Sequence, residues 1–143
     1  MAIQAWHIMR EKFSVRPDTS AQEVAHKIIS SGLPAIPVVN ESLEVLGMAT
    51  EHAILGAIEQ GLDPEQVTAA SIMVKTPITA DITTSPDDLI RMMQANNCCS
   101  VITIMNNGKY AGVVSRHMLM DVYTSPNFPR FAQKERKGPF LCV

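Results

Sequence analysis

The sequence predicts an α/β fold of the α+β kind, with two βαββα units packed sheet to sheet in pseudo-two-fold symmetry. The first observation behind this prediction is a doubled stretch, Gly47-Met48-Ala49-Thr50-Glu51-His52-Ala53 and, later in the chain, Gly112-Val113-Val114-Ser115-Arg116-His117-Met118. In each copy a glycine opens a short apolar run, and a hydroxyl residue follows where a strand passes into a helix. The chain is therefore predicted to be a duplication.

Two further observations extend this match in one ungapped register. Ser20 and Ser85 stand at equivalent positions, and each precedes a helical pattern; Pro86 then occupies a first helical position. Near-continuous apolar runs also recur at residues 35–39 and 100–104, which is typical of strands buried on both faces.

Taken in order, each unit begins with a short strand, at residues 13–15 in the first copy and 78–80 in the second. The helix that follows carries apolar residues at helical spacing, and it ends at Gly32 or Asn97, which tolerate a left-handed conformation. Two strands joined by a short polar turn come next. The last helix of each unit begins at Thr50 or Ser115.

The domain boundaries follow from this pattern. We expect a tandem pair over residues 1–124, with repeat 1 at about 4–62 and repeat 2 at about 68–124. Similar short segments, 5–9 and 70–73, lead into each copy. Residues 125–143 break the pattern and are predicted to form an arm that packs on the module or on a second subunit, a frayed terminus being the alternative.

Composition excludes several classes of protein. The 143 residues are 46% hydrophobic and 18% charged, as in an ordinary soluble domain. A net charge of -2 gives no reason to expect nucleic-acid binding. No apolar run is long enough for a membrane span and no signal peptide is evident, so a cytoplasmic protein without membrane contact is expected. Cys98, Cys99 and Cys142 do not form a disulfide or zinc pattern and are read as small apolar residues, a redox pair being the alternative.

An ordered series of motifs occurs twice in the chain: Ile8-Met9, Val15-Arg16-Pro17-Asp18-Thr19-Ser20, Ile36-Pro37-Val38-Val39-Asn40 and Gly47-Met48-Ala49-Thr50, then Ile72-Met73, Thr84-Ser85, Val101-Ile102 and Gly112-Val113-Val114-Ser115. Over roughly residues 4–124 this series resembles the cystathionine β-synthase (CBS) domain family. This resemblance implies a stand-alone Bateman module, which is regulatory and not an enzyme. Such modules bind AMP, ADP, ATP or S-adenosylmethionine in clefts between the repeats, and signal through a homodimer or a partner protein.

The family's ligand motif is only partly kept. It reads glycine, two apolar residues, Ser or Thr, two variable residues, then an Asp that contacts the ribose. Thr50 and Ser115 keep the hydroxyl at a helix N-terminus, where free amides favour phosphate. Ala53 and Met118 replace the two carboxylates. Losing a charge-assisted bond of about 1.5–3 kcal/mol weakens binding roughly ten- to a hundred-fold per site. Because Met118 would also fill the ribose space, the first cleft is favoured.

The resemblance implies further site residues. Positions on the first strand of each unit would touch the adenine edge, and apolar residues of the next strand would wall the base; these are Ser14, Val15 and Thr79, and then Ile36, Pro37, Val101 and Ile102. His52, Arg116 and His117 are candidates for phosphate contacts, although solvated first-turn residues are the simpler interpretation.

Enzyme motifs are not found. The sequence contains no glycine-rich phosphate loop and no Gly-x-Ser-x-Gly elbow. Because both ribose carboxylates are replaced, a second hypothesis stays open, in which the module is ligand-free and acts as an oligomerisation or protein-interaction scaffold.

Overall fold

A computed structural model describes residues 2–96 and 100–125 of the chain. The predictions made for Asn97, for the three cysteines and for most of the arm lie outside the described residues. The elements run in the order α1 (Ala5–Ile8), β1 (Arg10–Glu11), α2 (Ala21–Ser31), β2 (Ala35–Val39), β3 (Val45–Thr50), α3 (Glu51–Glu59), α4 (Ala69–Ile72), β4 (Thr79–Asp81), α5 (Pro86–Ala95), β5 (Val101–Asn106), β6 (Lys109–Ser115) and α6 (Arg116–Thr124).

The two repeats form two sheets with the same plan. The second sheet has the order β1-β6-β5-β4, in which β4 is parallel to β5 and the other pairs are antiparallel. The first sheet is the antiparallel pair β2-β3, extended by a parallel bridge from Val15 to Val38 and an antiparallel bridge from Met48 to Val74. The mixed α/β fold with two repeats is therefore confirmed. The predicted first strand at 13–15 is reduced to the single bridge at Val15.

The predicted ungapped match between the two repeats is wrong by one residue where strand β2 is compared with strand β5. Ala35 pairs with Thr50, but the residue that pairs with Ser115 is Val101 and not Ser100. Repeat 2 has one extra residue between Met93 and Val101, and one fewer in its hairpin. That hairpin closes through Asn107 and Gly108, which both have positive φ, as a tight two-residue turn requires. Pro37 is consequently equivalent to Thr103.

The lead-in segments are exchanged between the repeats. Although α1 and β1 precede repeat 1, they pack on repeat 2, where β1 pairs with β6 and the Ala5 amide donates to the Thr84 carbonyl at 2.7 Å. In the same way α4 packs on repeat 1, where the Ala69 amide donates to the Thr19 carbonyl at 2.8 Å. Each repeat is thus completed by a segment that precedes the other.

The core lies on both sides of the sheets. One cluster joins the helices and sheet of repeat 1 to Val101, Tyr110 and Val113 of repeat 2, so the two sheets face each other. A second cluster packs β5, β6, α1, α5 and α6 together. The two hairpins also touch, since the Tyr110 amide donates to the Leu43 carbonyl at 2.8 Å. No helix among the described residues has the length and apolar character that a membrane crossing requires.

Candidate functional site

The two predicted hydroxyl residues cap helices α3 and α6. The Thr50 side chain accepts from the Ala53 amide at 3.1 Å, and the Ser115 side chain accepts from the Met118 amide at 3.1 Å. The first amide of each helix is also satisfied, because Glu51 donates to the Pro34 carbonyl and Arg116 to the Ser100 carbonyl. Each hydroxyl oxygen therefore accepts a hydrogen bond from an amide of its own helix.

The second amide of each first turn is the one available for an anion. Within residues 2–96 and 100–125, the amides of His52 and His117 make no hydrogen bond. Free amides at a helix N-terminus carry partial positive charge and favour phosphate oxygens. His52 and His117 are both exposed to solvent.

The two helix ends differ in charge and in space. The first turn of α3 contains Glu51, whose charge opposes anion binding, whereas that of α6 contains Arg116 and no acid. Met118, however, folds back so that its sulfur lies 3.5 Å from the Ser115 amide, and its side chain packs against both core clusters. At α3 the equivalent residue is Ala53, which is half-buried and has only a methyl side chain. Charge favours the second helix end and space favours the first.

The residues predicted to lie against the base fall on opposite faces of their sheets, because side chains alternate along a strand. Ile102 packs in the cluster formed with α5 and α6, on the outer face of its sheet, and Ile36 holds the equivalent position in repeat 1. Val101 lies between the sheets, and the alternation of side chains places Pro37 there too. A ligand between the repeats would therefore meet Pro37 and Val101 by their side chains, and Ile36 and Ile102 by their backbone.

The predicted adenine-edge residues lie across a strand from the helix ends. Val15 is buried and pairs with Val38, Ser14 is half-buried, and Thr79 is exposed and pairs with Thr103. Thr50 pairs with Ala35 on the opposite side of β2. Strand spacings place Val15 and Thr50 roughly 10 Å apart across the sheet and roughly 10 Å apart along it. Only an extended ligand can contact both positions.

Thr103, which also faces the space between the sheets, was not predicted from the sequence. Thr103 is fully buried, and its hydroxyl has no hydrogen-bond partner within the described residues. By alternation it lies on the same face of β5 as Val101, between the sheets. The ungapped match between the repeats did not align Thr103 with Pro37. A single threonine in an apolar strand does not otherwise indicate a functional residue.

Two cavities among the described residues lie at other places, and only one of them includes a predicted site residue. One, of about 780 Å³, is at the hairpin end of the second sheet and includes none of the twelve predicted residues; Trp6, Met9, Leu43, Ile82 and Tyr110 are among its lining. The other, of about 320 Å³, lies between α5 and α6 and includes Arg116. In the described part of the chain no cluster of His, Cys, Asp and Glu is arranged to hold a metal.

A duplicated βαββα unit, with sheets face to face and capped helix ends beside them, defines a tandem-repeat α/β domain. The chain belongs to the CBS domain family, which it matches over residues 5–60 and 69–125.

Comparison with curated proteins gives two relatives. An uncharacterised protein of Methanopyrus kandleri is 26% identical over 114 residues, which is 79% of this chain and 58% of that protein. A homoserine O-acetyltransferase of Methanococcus vannielii is 24% identical over 119 residues, which is 82% of this chain and 24% of the enzyme. The chain thus spans little more than half of the first relative and about a quarter of the second.

Solved structures share the fold. The CBS domain pair of protein MJ0100, in complex with 5′-methylthioadenosine and S-adenosyl-L-methionine, superposes with a TM-score of 0.73 at 20% identity, covering 86% of this chain and 97% of that one. Arabidopsis thaliana CBSX2 in complex with AMP gives a TM-score of 0.71 at 15% identity, covering 83% and 94%. At these identities the likeness shows the fold.

Proposed function

We propose that this chain is a non-catalytic regulatory module that binds an adenine nucleotide or S-adenosylmethionine in the cleft at the N-terminus of α3. The observation that carries the proposal is the His52 amide, which makes no hydrogen bond within the described residues and lies in the same first turn as the capping Thr50 and the small side chain of Ala53. Two proteins of the same fold, crystallised with AMP and with S-adenosyl-L-methionine, support this class of ligand.

The proposed ligand spans from the helix end to the strand edge. Its phosphate or carboxylate would lie on the His52 amide, and its adenine would lie near Ser14 and Val15, against Pro37. The roughly 10 Å offsets between these positions suit a nucleoside with a charged group at one end. Because residue 53 is an alanine, the ribose would have no carboxylate partner there, so we expect weak, millimolar-range binding.

The proposed output is a change in subunit or partner contacts. The helices of repeat 1 expose Ile29, Leu55 and Ile58, and Ile29 is 77% exposed. Leu62, which follows α3, is exposed as well. An apolar helix face of this kind suits a homodimer or a partner protein. We further propose that the tandem pair spans about residues 4–124, with residues 125–143 as an arm, and that the protein acts in the cytoplasm.

Isothermal titration with AMP, ADP, ATP and S-adenosylmethionine tests the proposal. Ala53→Asp restores the ribose carboxylate, and we expect the Kd of one of these ligands to fall roughly ten- to a hundred-fold. Met118→Asp is the matched variant at α6 and should change that Kd little. If neither the natural chain nor Ala53→Asp binds any of the four at millimolar concentration, the proposal is overturned.

A second candidate function is a ligand-free scaffold for oligomerisation or protein interaction. Met118 favours it, because its side chain covers the α6 N-terminus and packs into both core clusters. The exposed apolar residues of α2 and α3 also favour it. Sedimentation of the natural chain with and without ligand separates the two functions, since a scaffold should associate equally in both conditions.

A further inference from the structure

The hairpin cavity, which is the space of about 780 Å³ at the hairpin end of the second sheet, shares no residue with the proposed ligand cleft. Its volume lies within the range of small-molecule sites, which is about 300–1,000 Å³. It also lies where the two repeats meet, because Leu43 of repeat 1 and Tyr110 of repeat 2 both line it. Pockets for small ligands are common at such junctions.

One wall of the hairpin cavity is apolar. Trp6 and Met9 of the first lead-in segment lie there together with Ile82 and Ala111. Trp6 is 50% exposed, although its backbone amide donates to the Ile82 carbonyl at 3.1 Å and its indole N–H donates to the Gln4 side chain at 2.9 Å. An aromatic ring that is held in place but left open to solvent suits the apolar part of a ligand.

The second sheet places two opposite charges on one face beside this wall. Lys109 precedes Tyr110, which packs between the sheets, so alternation puts Lys109 on the outer face. Glu11 pairs with Gly112, and Gly112 precedes the inward-facing Val113. Glu11 is therefore on the outer face as well, and both charged residues are exposed and line the cavity.

A β-bulge is what brings these two charges to the same face. Ile104 pairs with Gly112 and Met105 pairs with Tyr110, so Ala111 is an extra residue in β6. In a regular strand, positions 109 and 112 would face opposite sides of the sheet, because they are three residues apart. Bulges re-aim side chains in this way and are frequent beside functional sites.

The polar groups at this edge of the cavity are not matched by the protein. Within the described residues, the side chains of Glu11 and Lys109 make no hydrogen bond or ion pair. Strand spacings put their Cα atoms roughly 11 Å apart, so these long side chains can flank a small molecule. Asn106 and Asn107 line the same edge, and their amides also lack a side-chain hydrogen bond in the part of the chain that the structure describes. Each amide offers both donors and an acceptor.

A zwitterionic α-amino acid with an apolar side chain matches all of these features. Its ammonium group requires an anionic acceptor, which Glu11 supplies, and its carboxylate requires a cation, which Lys109 supplies. Its side chain requires an apolar wall, which Trp6 supplies. A nucleotide is less well matched, because the Glu11 carboxylate repels a phosphate.

We propose that the hairpin cavity binds a free α-amino acid with a large apolar side chain. The ammonium group lies at Glu11, the carboxylate lies at Lys109, and the side chain packs against Trp6 and Met9. This site does not depend on the proposed nucleotide cleft at α3, since the two have no residue in common.

Trp6 is the single tryptophan of the chain, so its fluorescence reports on the hairpin cavity directly. We expect L-leucine, L-methionine or L-phenylalanine at millimolar concentration to change this fluorescence saturably, with the same Kd by isothermal titration. The N-acetyl and the amide derivatives of the amino acid that binds each lack one charge, and each should bind roughly tenfold more weakly.

Charge-removing variants locate the two ends of the ligand. Glu11→Gln and Lys109→Gln should each raise the Kd of the amino acid roughly ten- to a hundred-fold. Glu11→Gln should also abolish the preference over the N-acetyl derivative, and Lys109→Gln the preference over the amide. The matched controls are Glu59→Gln and Lys27→Gln, at exposed positions on the helices of repeat 1, and they should leave the Kd unchanged.

The proposal is overturned if none of the three amino acids binds at millimolar concentration by either measurement. It is equally overturned if both derivatives bind as tightly as the amino acid, since the two charges would then not be recognised. A Kd that is unchanged in Glu11→Gln and Lys109→Gln, or raised as much by the two control variants, also places the ligand elsewhere and overturns it.

Discussion

At the scale of single residues, Thr103 is the side chain whose burial is least expected. It lies in the central strand of the second sheet, between Thr79 and Val113, and is fully buried. Its hydroxyl has no hydrogen-bond partner within the described residues. Leaving a buried hydroxyl unsatisfied costs about 1–3 kcal/mol. At the equivalent position in the first sheet, Pro37 carries no such group.

The first prediction concerns this hydroxyl. Thr103→Val keeps the shape of the side chain and removes the unsatisfied group, so we expect the free energy of unfolding to rise by about 1 kcal/mol. Urea denaturation measures it. Thr79→Val, on the exposed neighbouring residue, should change stability by less than about 0.5 kcal/mol. A loss of stability in Thr103→Val would show that the hydroxyl does have a partner in solution.

The second prediction concerns Tyr110, whose hydroxyl donates to the Phe13 carbonyl. Burial raises the pKa of the Tyr110 phenol well above its ordinary value of 10.0. Because the folded state then holds this proton more tightly than the unfolded state, its contribution is fully present below pH 10 and is lost as the pH rises further.

Denaturation of the natural chain at pH 9, 10 and 11 tests this dependence. The free energy of unfolding should fall above pH 10 by at most about 1.4 kcal/mol per pH unit from this group. Tyr110→Phe should be less stable at pH 9, by about 1 kcal/mol for the lost hydrogen bond. It should also have a shallower alkaline slope, and an equal slope in both proteins would contradict the assignment.

At the scale of elements, the motif glycines act through packing. A side chain at Gly112 would place its Cβ 2.7 Å from the Arg10 carbonyl and 3.0 Å from the Met9 sulfur. At Gly47 the equivalent contacts are the Val74 carbonyl at 2.5 Å and the Met73 sulfur at 2.8 Å. In both repeats the glycine lets the exchanged lead-in segment cross the strand. The glycine of the ligand motif is therefore needed for packing of the lead-in segment, whether or not a ligand binds.

The third prediction follows from these contacts. Gly112→Ala should destabilise the protein by about 1–3 kcal/mol, because backbone atoms must move to accept the new methyl group. The matched control is Gly56→Ala in the middle of α3, where no atom lies within 4 Å of the added Cβ. There alanine should stabilise by about 0.5–1 kcal/mol. Thermal unfolding of the two variants should thus move in opposite directions, and a shift of the same sign in both would contradict this account.

Local elements were largely predictable from the sequence, and the strand register was not. Ser20, Thr50, Ser85 and Ser115 all cap helices as expected, because a cap depends on residues only three positions apart. The β5 register slipped by one residue because Ser100-Val101-Ile102 and Val101-Ile102-Thr103 match an apolar strand almost equally well. For the same reason the site residues on β2 and β5, and their proposed roles, stay predictions.

At the scale of the whole molecule, the exchange of lead-in segments joins the repeats. Ala5 is fully buried in the cluster of repeat 2, and Ala69 is fully buried against repeat 1. The sequence shows that the two segments are alike, but it does not show which repeat each one completes. That choice depends on contacts between distant parts of the chain, such as Arg10 with Val113 and Val74 with Met48.

The fourth prediction uses this exchange. Ala5→Val overfills a core position and should cost about 1–3 kcal/mol. Although Ala5 precedes repeat 1, hydrogen exchange should accelerate first in β5, β6 and α5 of repeat 2, whose cluster contains this residue. Ala69→Val, the matched variant, should accelerate exchange first in β2, β3 and α2. Local openings below the global unfolding energy make such differences measurable by mass spectrometry. If Ala5→Val instead loosens repeat 1 first, the lead-in segments are not exchanged, and the packing role assigned to Gly47 and Gly112 is wrong as well.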